Sequence, residues 1–202
     1  MHKGFVYLDE AIPGVRWDAK YATWDNFTGA PVPGYTVNRI IGSKEMASAL
    51  RGVKRKAEEL GYGLLLWDGY RPRRAVTHFL RWAERAENDE SKSRYYPNID
   101  KKSMLSLGYI AAKSGHSRGG AIDLTLYRLG TNELLPMGGC FDLMDRRSHH
   151  GAVGISAAEA ENRRNLKRLM EAFGFAPYAY EWWHYSLIDE PFPNTYFDFR
   201  VP

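Results

Sequence analysis

Six histidines are the first residues to weigh for chemistry, because neutral imidazole binds transition metals and carries protons near neutral pH. His2 is terminal, and His78 falls on the outward side of a short helical pattern, so neither marks a site. His116 stands in Ser114-Gly115-His116-Ser117-Arg118-Gly119-Gly120-Ala121-Ile122-Asp123. The glycine pair lets the backbone turn sharply and aim histidine and aspartate at one centre. Asp123 lies at the start of an apolar run, where burying a carboxylate is costly unless a cation or hydrogen bonds compensate it. Imidazole with carboxylate and no thiolate suits zinc or another divalent transition metal. Taken alone, the segment reads equally well as a capping aspartate beside a surface histidine.

Glu181-Trp182-Trp183-His184-Tyr185 tips that balance. Catalytic zinc takes three protein ligands and keeps one open position for water. His184 can complete the set with His116 and Asp123, leaving Glu181 as a general base that does not bind the metal. On a regular strand residues three apart face opposite sides, so Glu181 is expected in a loop or bulge and His184 within the strand. The alternative is an aromatic core strand with a polar edge. His149-His150 forms a rival pair, but adjacent residues cannot face one centre in regular structure. One of them is expected at most as an outer partner of the metal. Arg71, in Trp67-Asp68-Gly69-Tyr70-Arg71-Pro72, is held at a strand end by the glycine and proline. A fixed guanidinium there suits a carboxylate or a developing oxyanion; a plain ion pair with Asp68 is the alternative.

Two well-signalled helices frame these segments. One starts at the Ser43 cap, places Met46, Leu50, Val53, Ala57 and Leu60 at helical spacing, and stops at Gly61. Another opens on the capping-box pattern Ser156 to Glu159, runs through Leu166, Leu169, Met170 and Phe173, and stops at Gly174. Shorter helices are expected from Arg73 to Glu84 and from Lys101 to Leu107. Strands are expected at Phe5–Leu8, Gly63–Trp67, Ala121–Tyr127 and Trp182–Leu187. Helices and strands do not alternate strictly, so the expectation is an α+β fold, with helices on one side of a mostly antiparallel sheet. The loop-rich stretch from Tyr127 to Ser156 is where a site would draw residues.

The chain's 202 residues point to a single domain over 1–202. A 44% apolar share supports a folded core and excludes a disordered chain. The net charge of +4 comes from basic residues interleaved with acidic ones, which argues against a nucleic-acid partner. One cysteine, Cys140, excludes an internal disulfide and a Cys-rich zinc finger. The short apolar stretch near the amino end lacks the length and cleavage site of a signal peptide, and no run approaches a membrane span. A cytoplasmic protein with no membrane partner is expected.

The segments around His116, Asp123, Glu181 and His184 resemble the zinc signature of D-alanyl-D-alanine dipeptidases of the VanX type. The resemblance extends through the stretch from Lys20 to Gly29, Asp68 to Pro72, Phe141-Asp142 and the tail from Pro193 to Asp198. It implies a fold shared with D,D-carboxypeptidases and the hedgehog signalling domain. It also implies one zinc ion per chain held by His116, Asp123 and His184, with Glu181 as catalytic base and Arg71 stabilising the transition state. Ser114, Asp142 and Tyr21 fall in family motifs and are expected to hold the substrate's ends, Asp142 its ammonium and Ser114 its carboxylate. The implied activity is hydrolysis of free D-Ala-D-Ala, supporting vancomycin-type resistance; assembly as a homodimer is compatible with it. A murein D,D-carboxypeptidase or lysin of the same fold, and a zinc-containing binding protein without catalysis, are the alternatives.

Overall fold

The computed structural model describes residues 1–87 and 89–202. Its centre is a five-stranded sheet in the order β2-β4-β5-β7-β6. These strands are β2 (Arg16–Trp17), β4 (Tyr62–Asp68), β5 (Ala121–Arg128), β6 (Phe175–Tyr178) and β7 (Glu181–Leu187). Only the β2–β4 pairing is parallel; β4–β5, β5–β7 and β7–β6 are antiparallel. A separate antiparallel ribbon joins β1 (Phe5–Tyr7) to β3 (Ile41–Ser43). Short helix α1 (Leu8–Ala11) follows β1. The expected α+β architecture with a mostly antiparallel sheet is what the chain adopts. Both alternating sets of side chains in β4 and β5 are buried, so the middle of the sheet is covered on two faces.

Helices α2 (Lys44–Glu59) and α5 (Ala157–Glu171) pack against each other and on the sheet. Ser43 caps α2 by accepting from the Met46 N–H, and Leu50 and Val53 are fully buried on its inner face. Leu60 turns outward at the C-cap and is 52% exposed, unlike the other apolar positions of that helix. The Ser156–Glu159 capping box of α5 forms in both directions. Helix α3 (Arg73–Ala83) buries Ala75, Val76, Phe79 and Trp82 as its spacing predicts. Phe79 and Trp82 meet Phe27, and Phe79 meets Tyr21, in an aromatic layer beside the sheet.

The sequence pattern fails in identifiable places. From Lys101 to Leu107 there is only a 3₁₀ turn, Lys101–Ser103, followed by turns. Lys101 is buried there, its ammonium donating to the Ala86 carbonyl at 3.0 Å and lying over the Trp82 ring. Leu105 and Leu107 face solvent, so the segment has no apolar stripe to hold a helix. Helix α4 (Asp89–Tyr95) is polar in sequence and gives no periodic signal. Strand β6 holds Pro177, tolerated because the strand is at the sheet edge and the ladder shifts there. Among the described residues no helix is long and apolar enough to cross a membrane.

Ser156→Ala removes an oxygen that accepts the Glu159 N–H at 3.2 Å. It should lower unfolding free energy by about 1 kcal/mol, read as a lower urea midpoint at unchanged slope.

Candidate metal centre and active-site cavity

Asp123 and His184 are direct neighbours across the β5–β7 ladder, so sheet register alone brings them together. His116 arrives from a 3₁₀ turn, Gly115–Arg118, capped at its start by Ser114, whose Oγ accepts the His116 N–H at 3.3 Å. Gly119, at φ +78°, closes that turn under the Phe5 ring, where a side chain would collide. A reciprocal set of bonds ties the turn to the end of β4. His116 Nδ1 meets the Gly69 carbonyl at 2.7 Å, the Arg71 N–H donates to the His116 carbonyl at 3.2 Å, and Ser117 Oγ donates to the Arg71 carbonyl at 2.8 Å. Gly69 itself has no room for a side chain, because a Cβ would lie 2.5 Å from the Ile41 carbonyl oxygen.

A carbonyl can only accept, so His116 carries its proton on Nδ1 and turns the Nε2 lone pair inward. That Nε2 lies 3.1 Å from His184 Nδ1 and 3.4 Å from Asp123 Oδ2. His184 Nδ1 lies 3.0 Å from Asp123 Oδ1, while its Nε2 is 3.4 Å from Ser186 Oγ. Zinc bonds of roughly 2.0–2.2 Å in a tetrahedron separate donor atoms by about 3.3 Å. The three donors therefore fit a tetrahedral zinc site with little adjustment, and the outer partners Gly69 and Ser186 orient the two rings.

Glu181 is the first residue of β7. The β6–β7 register jumps from Pro177↔Tyr185 to Tyr178↔Glu181, an irregularity that frees Glu181 from strict alternation. Its Oε2 lies 3.7 Å from His184 Nδ1. Burial, reinforced by the Asp123 charge, pushes the Glu181 carboxyl up to about 8. Burial also works against Asp123, yet the imidazoles of His116 and His184 hold that carboxyl well below the usual carboxylate range. Asp68 is raised by burial, with the Arg71 guanidinium offsetting part of the effect.

Arg71 forms the ion pair with Asp68 and also faces the cavity. Its Nε donates to Asp68 Oδ2 at 2.9 Å and its Nη2 to Asp123 Oδ2 at 3.3 Å, and it also lines the cavity. The cavity measures about 340 Å³ and includes Tyr21, Phe79, Ser114, Asp142, Glu181 and Trp183 in its walls. Asp142 is buried in a left-handed turn at φ +61° and accepts the Tyr21 hydroxyl with both oxygens, at 2.9 and 3.0 Å. Burial, followed by the Asp123 charge, raises the Asp142 carboxyl well above its ordinary value. Neither His149 nor His150 lines this cavity. His149 reaches its edge only through the Tyr109 hydroxyl, 2.9 Å from Nε2. Sequence reasoning passed over Ser186 and saw Asp68 only as a plain ion-pair partner for Arg71. A serine two residues past a ligand, and an acid buried at a strand end, carry no distinctive spacing.

A family description, D-Ala-D-Ala dipeptidase of the peptidase M15 group, matches residues 1–202. The chain belongs to the D-Ala-D-Ala dipeptidase family. It is 64% identical over 201 residues to a D-alanyl-D-alanine dipeptidase of Enterococcus faecium, with all of both chains covered. It is 59% identical to one of Streptomyces coelicolor over 98% of each chain. A D,D-pentapeptidase from a VanB-type resistance cassette, solved with Zn(II), aligns over 76% of each chain at 17% identity and a TM-score of 0.45. In this dipeptidase family member, His116, Asp123, Glu181, His184, Arg71, Tyr21, Ser114 and Asp142 line one cavity, and His149 and His150 do not.

The raised Glu181 carboxyl has a stability consequence in the metal-free protein. Between about 4.5 and about 8 the native state holds a proton that the unfolded chain releases, so this group lowers stability as pH rises through that window. Glu181→Gln cannot ionise. Under chelation, its melting temperature relative to the parent should move upward between about pH 5 and about pH 8. A difference that does not change with pH would contradict the shift.

Proposed function

We propose that this chain is a zinc-dependent dipeptidase that hydrolyses free D-Ala-D-Ala in the cytoplasm. The observation that carries the reading is the convergence of His116, Asp123 and His184, at 3.0–3.4 Å between donor atoms, beside the partly buried Glu181. His116, Asp123 and His184 would hold one zinc ion per chain. When bound, zinc supplies Lewis acidity to the scissile carbonyl and makes a water acidic near neutral pH.

The chain's own groups perform the remaining work. Glu181 takes the proton of the attacking water and returns it to the leaving amine, its carboxylate standing beside His184 without being part of the ligand set. Arg71 presents its guanidinium to the oxygen that becomes negative in the tetrahedral species, where preorganised charge contributes most. Asp142 is a buried carboxylate with a hydroxyl as its hydrogen-bond partner, which makes it a receptor for the substrate ammonium. Ser114 Oγ, which accepts the His116 N–H and lines the cavity, keeps its own proton to donate to the carboxylate end. A cavity of about 340 Å³ stands near the lower limit for small-molecule pockets. That size favours the free dipeptide over longer D,D-terminated peptides. Depleting the dipeptide lowers the supply of the precursor ending that vancomycin-type antibiotics recognise, which is how the enzyme would support resistance.

Two measurements test this. Glu181→Ala should retain zinc while kcat falls about 10²–10⁴-fold, whereas His184→Ala should lose both metal and activity; zinc retained in full by His184→Ala would remove it from the ligand set. The purified enzyme should cleave D-Ala-D-Ala far faster than L-Ala-L-Ala or a muramyl pentapeptide. Comparable cleavage of the pentapeptide would point to a wall carboxypeptidase.

A further inference from the structure

Asp68 has no assigned part in the chemistry, yet it is 1% exposed and lies against the centre. In β4 the register runs Leu66↔Leu124 and then Asp68↔Asp123, so Trp67 is an extra residue in the ladder. The bulge re-aims the strand end and sets two aspartates directly opposite each other. Like charges facing across strands repel, and a buried carboxylate needs a cation or donors. Arg71 answers both needs by bridging the pair, through Nε to Asp68 at 2.9 Å and Nη2 to Asp123 at 3.3 Å.

Asp68 is in turn fixed from its other side. The buried Tyr35 hydroxyl donates to Oδ1 at 2.7 Å, leaving Oδ2 for Arg71. Oδ2 also lies 3.6 Å from His116 Nδ1, the nitrogen whose proton goes to Gly69. The guanidinium carbon is flanked by the Tyr21 and Phe79 rings at 5.0 and 5.3 Å. Nε is the pivot of a guanidinium, so a carboxylate locked on Nε determines which way the remaining N–H groups point. An arginine without that anchor keeps its charge but loses its direction.

We infer that Asp68 is a positioning residue for the transition state: it holds the Arg71 guanidinium in the orientation that meets the developing oxyanion. The inference rests on the dipeptidase reading above. It requires that the effect of Asp68 on turnover pass through Arg71, which a merely structural aspartate would not show.

The test is a double-mutant cycle on the zinc-loaded enzyme with D-Ala-D-Ala. Asp68→Asn keeps size and one acceptor but loses the charge. It should lower kcat by about 10–100-fold, as expected for an oriented electrostatic contact, with KM changed less than about threefold and zinc content and melting profile retained. In an Arg71→Ala background the same change should cost less than about twofold. Calorimetry supplies a second readout, since Asp68→Asn should weaken a tetrahedral phosphinate dipeptide analogue by the factor lost in kcat while leaving D-alanine binding unchanged. Equal losses in both backgrounds, or full activity of Asp68→Asn, would overturn the proposal. If Asp68→Asn does not accumulate as folded protein, added guanidinium decides: partial rescue of Arg71→Ala supports a preformed anchor, and no rescue overturns it. An inactive zinc-loaded parent would count against the dipeptidase reading, whereas an active parent with an additive cycle counts against Asp68 alone.

Discussion

Three carboxylates, those of Asp123, Asp142 and Glu181, line one cavity, and a fourth, that of Asp68, is buried against the Arg71 guanidinium at its wall. Ionised carboxylates taken out of water carry a penalty of several kcal/mol each unless a counter-charge is close. Arg71 compensates Asp68 and part of Asp123. Asp142 and Glu181, like Asp68, hold their protons more tightly than free carboxyls do. The cluster thus holds more carboxylates than the one bridging guanidinium can offset. In the proposed dipeptidase, a dication among His116, Asp123 and His184 and an ammonium at Asp142 would supply positive charge. Binding and the relief of carboxylate repulsion would then be the same event, which would favour a substrate with a cationic end close to the bond being cut.

Holding such a cluster in place falls to the most buried part of the sheet. Ile122, Leu124 and Leu126 on β5 and Leu64 and Leu66 on β4 are almost wholly removed from solvent, so the strands carrying the polar residues cannot shift without opening the core. The two ladder irregularities sit at the strand ends nearest the cavity, at Trp67 in β4 and between Pro177 and Tyr178 in β6. Regular alternation would send Asp68 and Glu181 away from Asp123 and His184. Each bulge trades a little local pairing for a side chain aimed at the centre, a placement typical of sheets next to active sites.

What could be read from sequence divides along the same physical line. Helices α2, α3 and α5 announce themselves because cap residues and apolar periodicity are local properties. His116, Asp123, Glu181 and His184 were legible because their types are rare in apolar surroundings and their spacings match metal chemistry. The need for an irregular strand at Glu181 followed from the period of two alone. Asp68 was visible only as a possible ion-pair partner, since its importance depends on a bulge and on Tyr35, which is distant in sequence. Strands β2 and β3 are too short to carry a pattern, and β6 contains a proline that normally argues against a strand. The turn from Lys101 was misread because a buried lysine, recruited to the Ala86 carbonyl, decides its path.

The reciprocal bonds between the 69–71 and 114–118 segments couple two groups of the candidate site, the His116 imidazole and the Arg71 guanidinium. His116 is oriented by the carbonyl of Gly69, and Arg71 receives its backbone position from the carbonyl of His116. His116 and Arg71 therefore cannot be displaced independently. A change that tilts the His116 ring pulls on the turn that carries Arg71, and one that frees Asp68 loosens a carboxylate packed near His116 Nδ1. Coupling through rigid backbone turns, rather than through long side chains, keeps the geometry within the few tenths of an ångström on which oriented catalysis depends. It also explains why the glycine at position 69 has no substitute. A Cβ there would press on the Ile41 carbonyl, which already accepts the Tyr70 N–H, and would part the two turns that the site joins.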